Sequence, residues 1–370
     1  MNLSPEVVLD SLRRVIDPSS GKDIVRLNMI RQLRVDDVVR FTIMLKDPGA
    51  EFAGKVVDLC RQALIDAGFD GEGARIEVDN EMISIGGDLD MAGASDANPL
   101  GDGVTNTIAV ASGKGGVGKS TVAANLAVAL ASQGYDVGLV DTDIYGPSVP
   151  TMFGVRDARP RVDENRKIIP IERHGVKLLS MGFLVDEQKA VIWRGPMVSS
   201  AVRQFLGDTS WGDLDYLVLD LPPGTGDIQL TIVQTVPLSG AIIVSTPQTV
   251  ALADARKGVA MFEQVNVPVL GIVENMAFFT PPDLPDRKYH LFGEGGARRL
   301  SEELEVPFLG EIPIEQEWRE MCDSGEPVVA SRPESVSALA FSALAGETVR
   351  QVELRNADLE PSQKVEILYR

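Results

Sequence analysis

The strongest chemical signal in the chain is Gly113-Lys114-Gly115-Gly116-Val117-Gly118-Lys119-Ser120-Thr121. It fits G-x-x-x-x-G-K-[ST], a glycine-rich turn whose backbone N–H groups can point inward around phosphates. Lys119 then reaches the terminal phosphates, and Ser120 offers its hydroxyl to Mg²⁺. The turn works only between a strand and a helix, because the start of the new helix presents its positive end to the anion. The sequence supplies both, an apolar run over Ile108 to Ala111 before the turn and a helical pattern over 118–133 after it.

Two carboxylate sites accompany the loop. Asp220 closes the run Leu214-Asp215-Tyr216-Leu217-Val218-Leu219, where a strand-end acid is expected to hold the Mg²⁺ shell through water; Pro222-Pro223-Gly224-Thr225-Gly226 follows as a switch-like loop. Asp141 and Asp143 end the strand after the phosphate-loop helix, and an acid there can orient the attacking water or touch the metal. A single strand-end aspartate is equally well a capping or solvated residue; two such sites beside a phosphate loop point to nucleotide chemistry. Lys114 lies five positions before Lys119, too early in the turn to serve the same bound nucleotide. It is free to reach a neighbouring subunit's phosphates, as an arginine finger supplies charge in trans. The plainer alternative is a solvated loop lysine.

Such residues need strands that end along one edge. From 107 onward, short apolar runs near Ile108 to Ala111, Val137 to Val140, Tyr216 to Leu219, Ala241 to Ser245, Val269 to Val273 and Phe308 to Leu309 alternate with helical patterns over 118–133, 197–206, 226–236, 249–264, 294–304 and 334–352. Strands that are apolar throughout are covered on both faces, and strand–helix alternation implies right-handed crossovers and a parallel sheet. The predicted class is α/β, a P-loop NTPase with a mostly parallel sheet flanked by helices, preceded by a small α+β domain over 1–85. That domain opens with a helix capped by Ser4-Pro5-Glu6, then β-rich runs Ile24 to Leu33 and Val38 to Leu45, a helix over 51–67 and a strand near 75–79. Residues 86–106 are glycine- and aspartate-rich without periodicity and predict a flexible linker of about 25 Å root-mean-square span, enough for the first domain to reach across a partner subunit. The P-loop ATPase domain is expected over 107–352, with a charged, fraying tail over 353–370.

Composition narrows the function. With 35 Lys and Arg against 54 Asp and Glu the formal charge is −19, which excludes on average a surface for nucleic acid or anionic lipid. The expectation is therefore no nucleic-acid and no membrane partner. Cys60, Cys322, His174 and His290 are the only cysteines and histidines. They allow no disulfide framework and no local metal cluster, which favours a reducing, cytoplasmic home, and the first residues lack a basic region followed by an apolar core.

At G-K-G-G-V-G-K-S-T the chain resembles the deviant Walker A ATPases, the class of MinD, ParA, nitrogenase iron protein and the Mrp/ApbC iron-sulfur carriers. Asp141-Thr142-Asp143-Ile144-Tyr145-Gly146-Pro147-Ser148-Val149-Pro150, Trp193-Arg194-Gly195-Pro196-Met197, Asp220-Leu221-Pro222-Pro223-Gly224-Thr225-Gly226-Asp227, Thr246-Pro247-Gln248 and Glu274-Asn275-Met276 look like the Mrp/ApbC branch. Residues 3–83 are similar to the small domain of iron-sulfur assembly factors. The resemblance implies a homodimer sandwiching two ATP molecules, with Lys114 crossing the interface. Lys119 and Ser120 would hold phosphate and Mg²⁺, Thr121 the α-phosphate, Asp143 the hydrolytic water and Asp220 the metal shell, with Asp141 a further candidate for the metal. Asn275 would recognise adenine and Pro313 line the base. The implied partners are apo iron-sulfur proteins or assembly scaffolds, the implied activity a slow Mg²⁺-dependent ATPase.

One departure bears on the cargo. Many members of that branch carry C-x-x-C after the Asn-Met motif, and each subunit's pair holds half of a bridging cluster. Here the stretch from Phe278 to Gly293 has no cysteine, and carboxylates or one histidine are poor substitutes for thiolates in an iron-sulfur site. Asp283, Asp286 and His290 read better as a solvated loop than as a hard-metal site. Cys60, in a stripe with Val56, Ala63 and Leu64, and Cys322, four residues after Trp318, read as small buried hydrophobes and weak candidates for cluster ligands. His174, in Arg173-His174-Gly175, reads as an exposed turn residue. Three functions stay open: an ATPase that carries or helps transfer iron-sulfur clusters, an ATP-gated adaptor without its own cluster, and a positioning ATPase of the MinD/ParA kind.

Overall fold

The computed structural model describes residues 4–45, 52–70, 73–80, 100–101, 103–143, 146–183, 195–284, 286–315, 321–322 and 324–359. The chain divides into two units, Met1–Ala97 with Val349–Pro361, and Asn98–Thr348 with Ser362–Arg370.

In the smaller unit, helices α1 (Pro5–Leu12) and α2 (Val56–Asp66) accompany a sheet of β1 (Ile30–Val35), β2 (Val39–Leu45) and β3 (Arg75–Asn80). β1 runs antiparallel and β3 parallel to the central β2. The strand expected from Ile24 begins only at Ile30, because Asp23 accepts hydrogen bonds from Val25 N (3.1 Å) and Arg26 N (2.9 Å) and turns the backbone there. The core joins Leu9, Leu12, Ile43, Cys60 and Leu64 to Ala357, with Leu354 packed against it. Both of these last residues belong to α10 (Val336–Asp358), so the helix runs six residues past the boundary expected at 352. Sequence marks 353–370 as charged, but up to Asp358 the charges have partners: Arg13 Nη2 reaches both carboxylate oxygens of Glu353 at 2.5 Å, and Arg34 pairs with Asp358. Asn356 donates to Asn28 Oδ1 at 3.0 Å, and its carbonyl accepts from Arg31. Most of the expected linker lies outside the described residues; its end, from Val104, is already strand.

The larger unit is an eight-stranded sheet. Its strands are β4 (Val104–Ala111), β5 (Val137–Asp141), β8 (Ile171–Arg173), β9 (Val176–Ser180), β10 (Leu214–Asp220), β11 (Gly240–Ser245), β12 (Val269–Phe279) and β13 (Phe308–Ile314), in the order β13-β12-β11-β4-β10-β5-β9-β8. All neighbours are parallel except the edge pair β8 and β9. A short hairpin of β6 (Arg161–Val162) and β7 (Ile168–Ile169) lies apart from it. Around the sheet run α3 (Lys119–Ser132), α4 (Val149–Met152), α5 (Gly195–Gly207), α6 (Asp227–Thr235), α7 (Thr249–Gln264), α8 (Gly296–Glu303) and α9 (Val328–Ser331). β6 to β8 escape a sequence reading because they are short and partly exposed; β9 is short and buried, but Lys177 breaks its apolar run while its ammonium caps the Trp211 carbonyl at 2.5 Å.

Topology brings the chemistry together. β10 lies between β4 and β5, so Asp220 is in register with Val110 on one side and Asp141 on the other. The phosphate loop leaves the adjacent end of β4. A crevice outside the carboxyl ends of parallel strands, where neighbours in space are not neighbours in sequence, is where such sheets bind ligands.

Candidate active site

The glycine loop is shaped by its neighbours. Gly116 and Gly118 both sit at φ +81°, a left-handed backbone that β-carbons disfavour. A Cβ at Gly113 would come within 2.2 Å of the Asp254 backbone, and one at Gly118 within 2.2 Å of Asn275 Nδ2, so α7 and the end of β12 close against the loop from outside. Ser112 Oγ donates to the Lys114 carbonyl (2.9 Å), and Ser112's own carbonyl accepts from Gly224 N (2.9 Å). The phosphate loop and the Pro222–Gly226 loop are therefore tied to each other.

Lys119 and Asp220 form an ion pair with side chains only 6% and 0% exposed. Lys119 Nζ also donates to Ser120 Oγ at 3.2 Å. Asp220 Oδ2 is buried without a hydrogen-bond partner among the described residues. Burial pushes the Asp220 carboxyl up, against the pull of the Lys119 ammonium. Asp141 is pushed up to about 7, first by burial and then by the charge of Asp220. Its oxygens are engaged: Oδ1 accepts from Asp143 N (3.1 Å), and Oδ2 accepts from Val149 N (3.2 Å) and Ser180 Oγ (3.1 Å). Asp141 thus shapes the loop that carries Asp143, and Asp143 in turn accepts from Gly146 N at 3.3 Å. A hydroxyl beside a carboxylate that has one unmet buried oxygen is an oxygen donor set suited to Mg²⁺ and its water shell.

Asn275 is buried and donates from Nδ2 to the Val117 carbonyl at 2.8 Å, while its Oδ1 has no partner among the described residues. Met276 follows at φ +57°, where the β12–β13 register shifts, and Asn275 pairs with Ile312 beside the buried Pro313. Next to Asp143 opens a cavity of about 500 Å³ whose walls include Gly146, Pro222, Pro223, Ile228 and Gln229.

A family model described as NUBPL iron-transfer P-loop NTPase matches residues 103–349. The chain belongs to that family. A second model, iron-sulfur cluster assembly protein, matches residues 5–78. An iron-sulfur cluster carrier protein of Synechocystis sp. is 47% identical over 357 residues, 95% of this chain and 99% of that protein. One of Deinococcus radiodurans is 45% identical over 359 residues, 97% of this chain and 98% of that protein. Among solved structures, a nucleotide-binding protein from Archaeoglobus fulgidus in complex with ADP is similar at TM-score 0.57 and 42% identity, covering 65% of this chain and 93% of that one. The septum site-determining protein MinD from Pyrococcus horikoshii, complexed with Mg-ADP, is similar at TM-score 0.51 and 26% identity, covering 66% and 95%.

The two cysteines fall one in each unit. Cys60 is fully buried in the smaller unit, and burial pushes its thiol up to about 12, so it stays protonated. Cys322 is half-buried in the larger unit. The loop after Asn275-Met276 closes as a narrow pair of Phe279 with Tyr289; Lys288 lies over the Phe278 ring at 4.0 Å, and His290 Nδ1 sits 3.2 Å from the Ala277 carbonyl. Asp283 and Asp286 are exposed, and among the described residues no group of three His, Cys, Asp or Glu could hold a metal ion. His174, expected to be exposed, is instead only 14% exposed in its side chain, with its ring against Phe153. Among the described residues no helix is long and apolar enough to cross a membrane.

The sequence reading missed Ser180, Gln229 and the Val117 carbonyl. Ser180 ends a strand that carries no sequence signal, and the Val117 carbonyl matters only once folding brings Asn275 against it. Gln229 stands in a legible helix, but no motif marks its position.

Proposed function

We propose that this chain is an Mg²⁺-dependent ATPase that works as a homodimeric switch and carries, or helps transfer, iron-sulfur clusters to apoproteins. The observation that carries the proposal is the Lys119–Ser120–Asp220 constellation at the carboxyl edge of the sheet, in a chain whose full-length relatives bear the name iron-sulfur cluster carrier. The loop N–H groups from Gly113 to Thr121 cradle the phosphates, with Thr121 at the α-phosphate. Lys119 exchanges its carboxylate partner for phosphate oxygens. Ser120 and Asp220 hold the Mg²⁺ shell, with Asp141 behind them shaping the loop. The charge neutralisation that Mg²⁺ would supply to the triphosphate would thus be held in place by Ser120 and Asp220. Asp143 orients the water that attacks the γ-phosphorus, and Lys114 supplies positive charge to the partner subunit's nucleotide. Asn275, its amide nitrogen committed to Val117, offers its free carbonyl oxygen to adenine's exocyclic amine, and Pro313 lines the base.

A second reading has its own support: an adaptor that gates protein partners with ATP and holds no cluster. The stretch from Phe278 to Gly293 lacks thiols, and Cys60 is an inert buried one. Anaerobic reconstitution with iron and sulfide separates the two. Stoichiometric iron and visible absorption, kept in Cys60→Ala and lost in Cys322→Ala, are expected of a carrier that uses its half-buried thiol. Absence of bound iron in the wild type overturns carriage and leaves the adaptor.

A further inference from the structure

Gln229 is the third residue of α6, a position from which a glutamine often reaches back to cap the helix start. It does not do so here: α6 has no side-chain cap, and Gln229 Oε1 is buried without a hydrogen-bond partner among the described residues. The residue is only 2% exposed, yet it lines the cavity of about 500 Å³ that Asp143 also lines. A buried carbonyl oxygen left unmet is unfavourable unless something in the site donates to it. The loop leading into α6 is tied to the phosphate loop by the Gly224 N–H to Ser112 carbonyl bond of 2.9 Å, which links the start of the helix that carries the amide to that loop.

We infer that Gln229 is a second water-orienting residue, sharing with Asp143 the water that attacks the γ-phosphorus; this rests on the ATPase reading above. A nucleophilic water must turn a lone pair toward phosphorus, and its two hydrogens then need two acceptors. The Asp143 carboxylate takes one and the Gln229 carbonyl oxygen the other. A neutral amide suits the second place, because a further carboxylate would repel the triphosphate. As the water oxygen bonds to the γ-phosphorus, the bond from that phosphorus to the β–γ bridging oxygen breaks. ADP leaves with the electron pair, and the water's proton passes to Asp143, giving ADP and inorganic phosphate. The amide stays neutral throughout.

The test is steady-state phosphate release and ADP affinity for wild type, Gln229→Leu, Gln229→Ala, Asp143→Asn and the Asp143→Asn/Gln229→Leu double variant. Leucine has nearly the same volume and no acceptor, so it carries the test if alanine destabilises the fold. Gln229→Leu is expected to lower kcat by about 10²-fold, with KM and ADP affinity within about twofold of wild type. The double variant should be no slower than Asp143→Asn, because both groups hold one water. Wild-type kcat in a folded Gln229→Leu overturns the inference. So does a loss that appears as weaker ADP binding with kcat intact, which marks a purely structural role. If the wild type binds ATP but releases no phosphate, the ATPase reading falls and this inference with it; a turning-over wild type with indifferent Gln229 variants removes the inference alone.

Discussion

Two ion pairs with buried carboxylates, one in each unit, bring the same chemistry to different ends. In the larger unit Lys119 meets Asp220; in the smaller, Arg13 meets Glu353. Burial pushes both carboxyls up, and in both the cation pulls the other way. The difference lies in what is left over. Both oxygens of Glu353 are taken by one guanidinium nitrogen, and the pair fastens α10 to α1. Asp220 keeps one oxygen unmet, and its lysine is a single point of charge that can turn to another anion. A saturated pair is architecture; a pair with spare bonding capacity beside glycine N–H groups is a site.

The widest break in this comparison comes from removing the cation of the unsaturated pair. Lys119→Ala is expected to abolish nucleotide binding, by 10³-fold or more in affinity, and to strand a buried carboxylate, which costs roughly 3–5 kcal/mol. Adding Asp220→Asn should recover thermal stability without recovering binding, because the phosphate partner is still absent. Binding retained in Lys119→Ala would mean that the lysine serves only the fold, like Arg13. Lys114 has a different place: it is half-buried in the loop and outside the pair. Lys114→Ala should leave ATP binding near wild type and reduce turnover by about 10²–10³-fold, with mixing of inactive subunits restoring activity if the lysine acts in trans. Full turnover in Lys114→Ala would refute the interface role.

The saturated pair yields a pH test. Glu353 has a folded value of about 6 against an ordinary 4.5, raised chiefly by burial. Below about pH 4.5 the group is protonated whether folded or unfolded and contributes no pH dependence. Between 4.5 and 6 the folded unit binds more protons than the unfolded chain, so its stability falls as pH rises, by about 2 kcal/mol in all, and then levels off above 6. Hydrogen exchange of the β2 amides in the full chain reads this opening. Glu353→Gln should flatten the slope over that window, and an unchanged slope would remove Glu353 as its source.

How much of this was legible beforehand differs between the two pairs for a physical reason. Lys119 starts and Asp220 ends elements whose apolar runs and glycine turn announce themselves, and the α/β class, the alternation of strand and helix and the phosphate loop follow from local pattern. Glu353 looks like a tail residue, because nothing local tells that Leu354 and Ala357 face the core of a unit that starts more than 300 residues earlier. β8 is an edge strand of three residues, and β9 beside it has only five, with Lys177 breaking its apolar run. Ser180 and Gln229 depend on contacts made only in the folded sheet. Cluster chemistry was legible as an absence, in the missing thiols after Asn275-Met276.

The smallest expected effect tests whether leftover bonding capacity marks the site beyond charged groups. Asn275, like Asp220, has one end engaged and one unmet among the described residues: Nδ2 is held by the Val117 carbonyl, so on the proposed reading only the oxygen is left for a base. Adenine offers a donor there and guanine an acceptor, and guanine would leave two carbonyl oxygens facing each other. ATP should therefore outcompete GTP, and Asn275→Ala should narrow that preference by about tenfold, or roughly 1.4 kcal/mol. The affinity for triphosphate without a base should change little, since Lys119 and the glycine loop carry it. Equal ATP and GTP affinities in the wild type would show that the amide merely braces Gly118, whose missing Cβ it already requires. The unmet oxygen would then be a by-product of packing, and spare capacity would mark function only where it is charged.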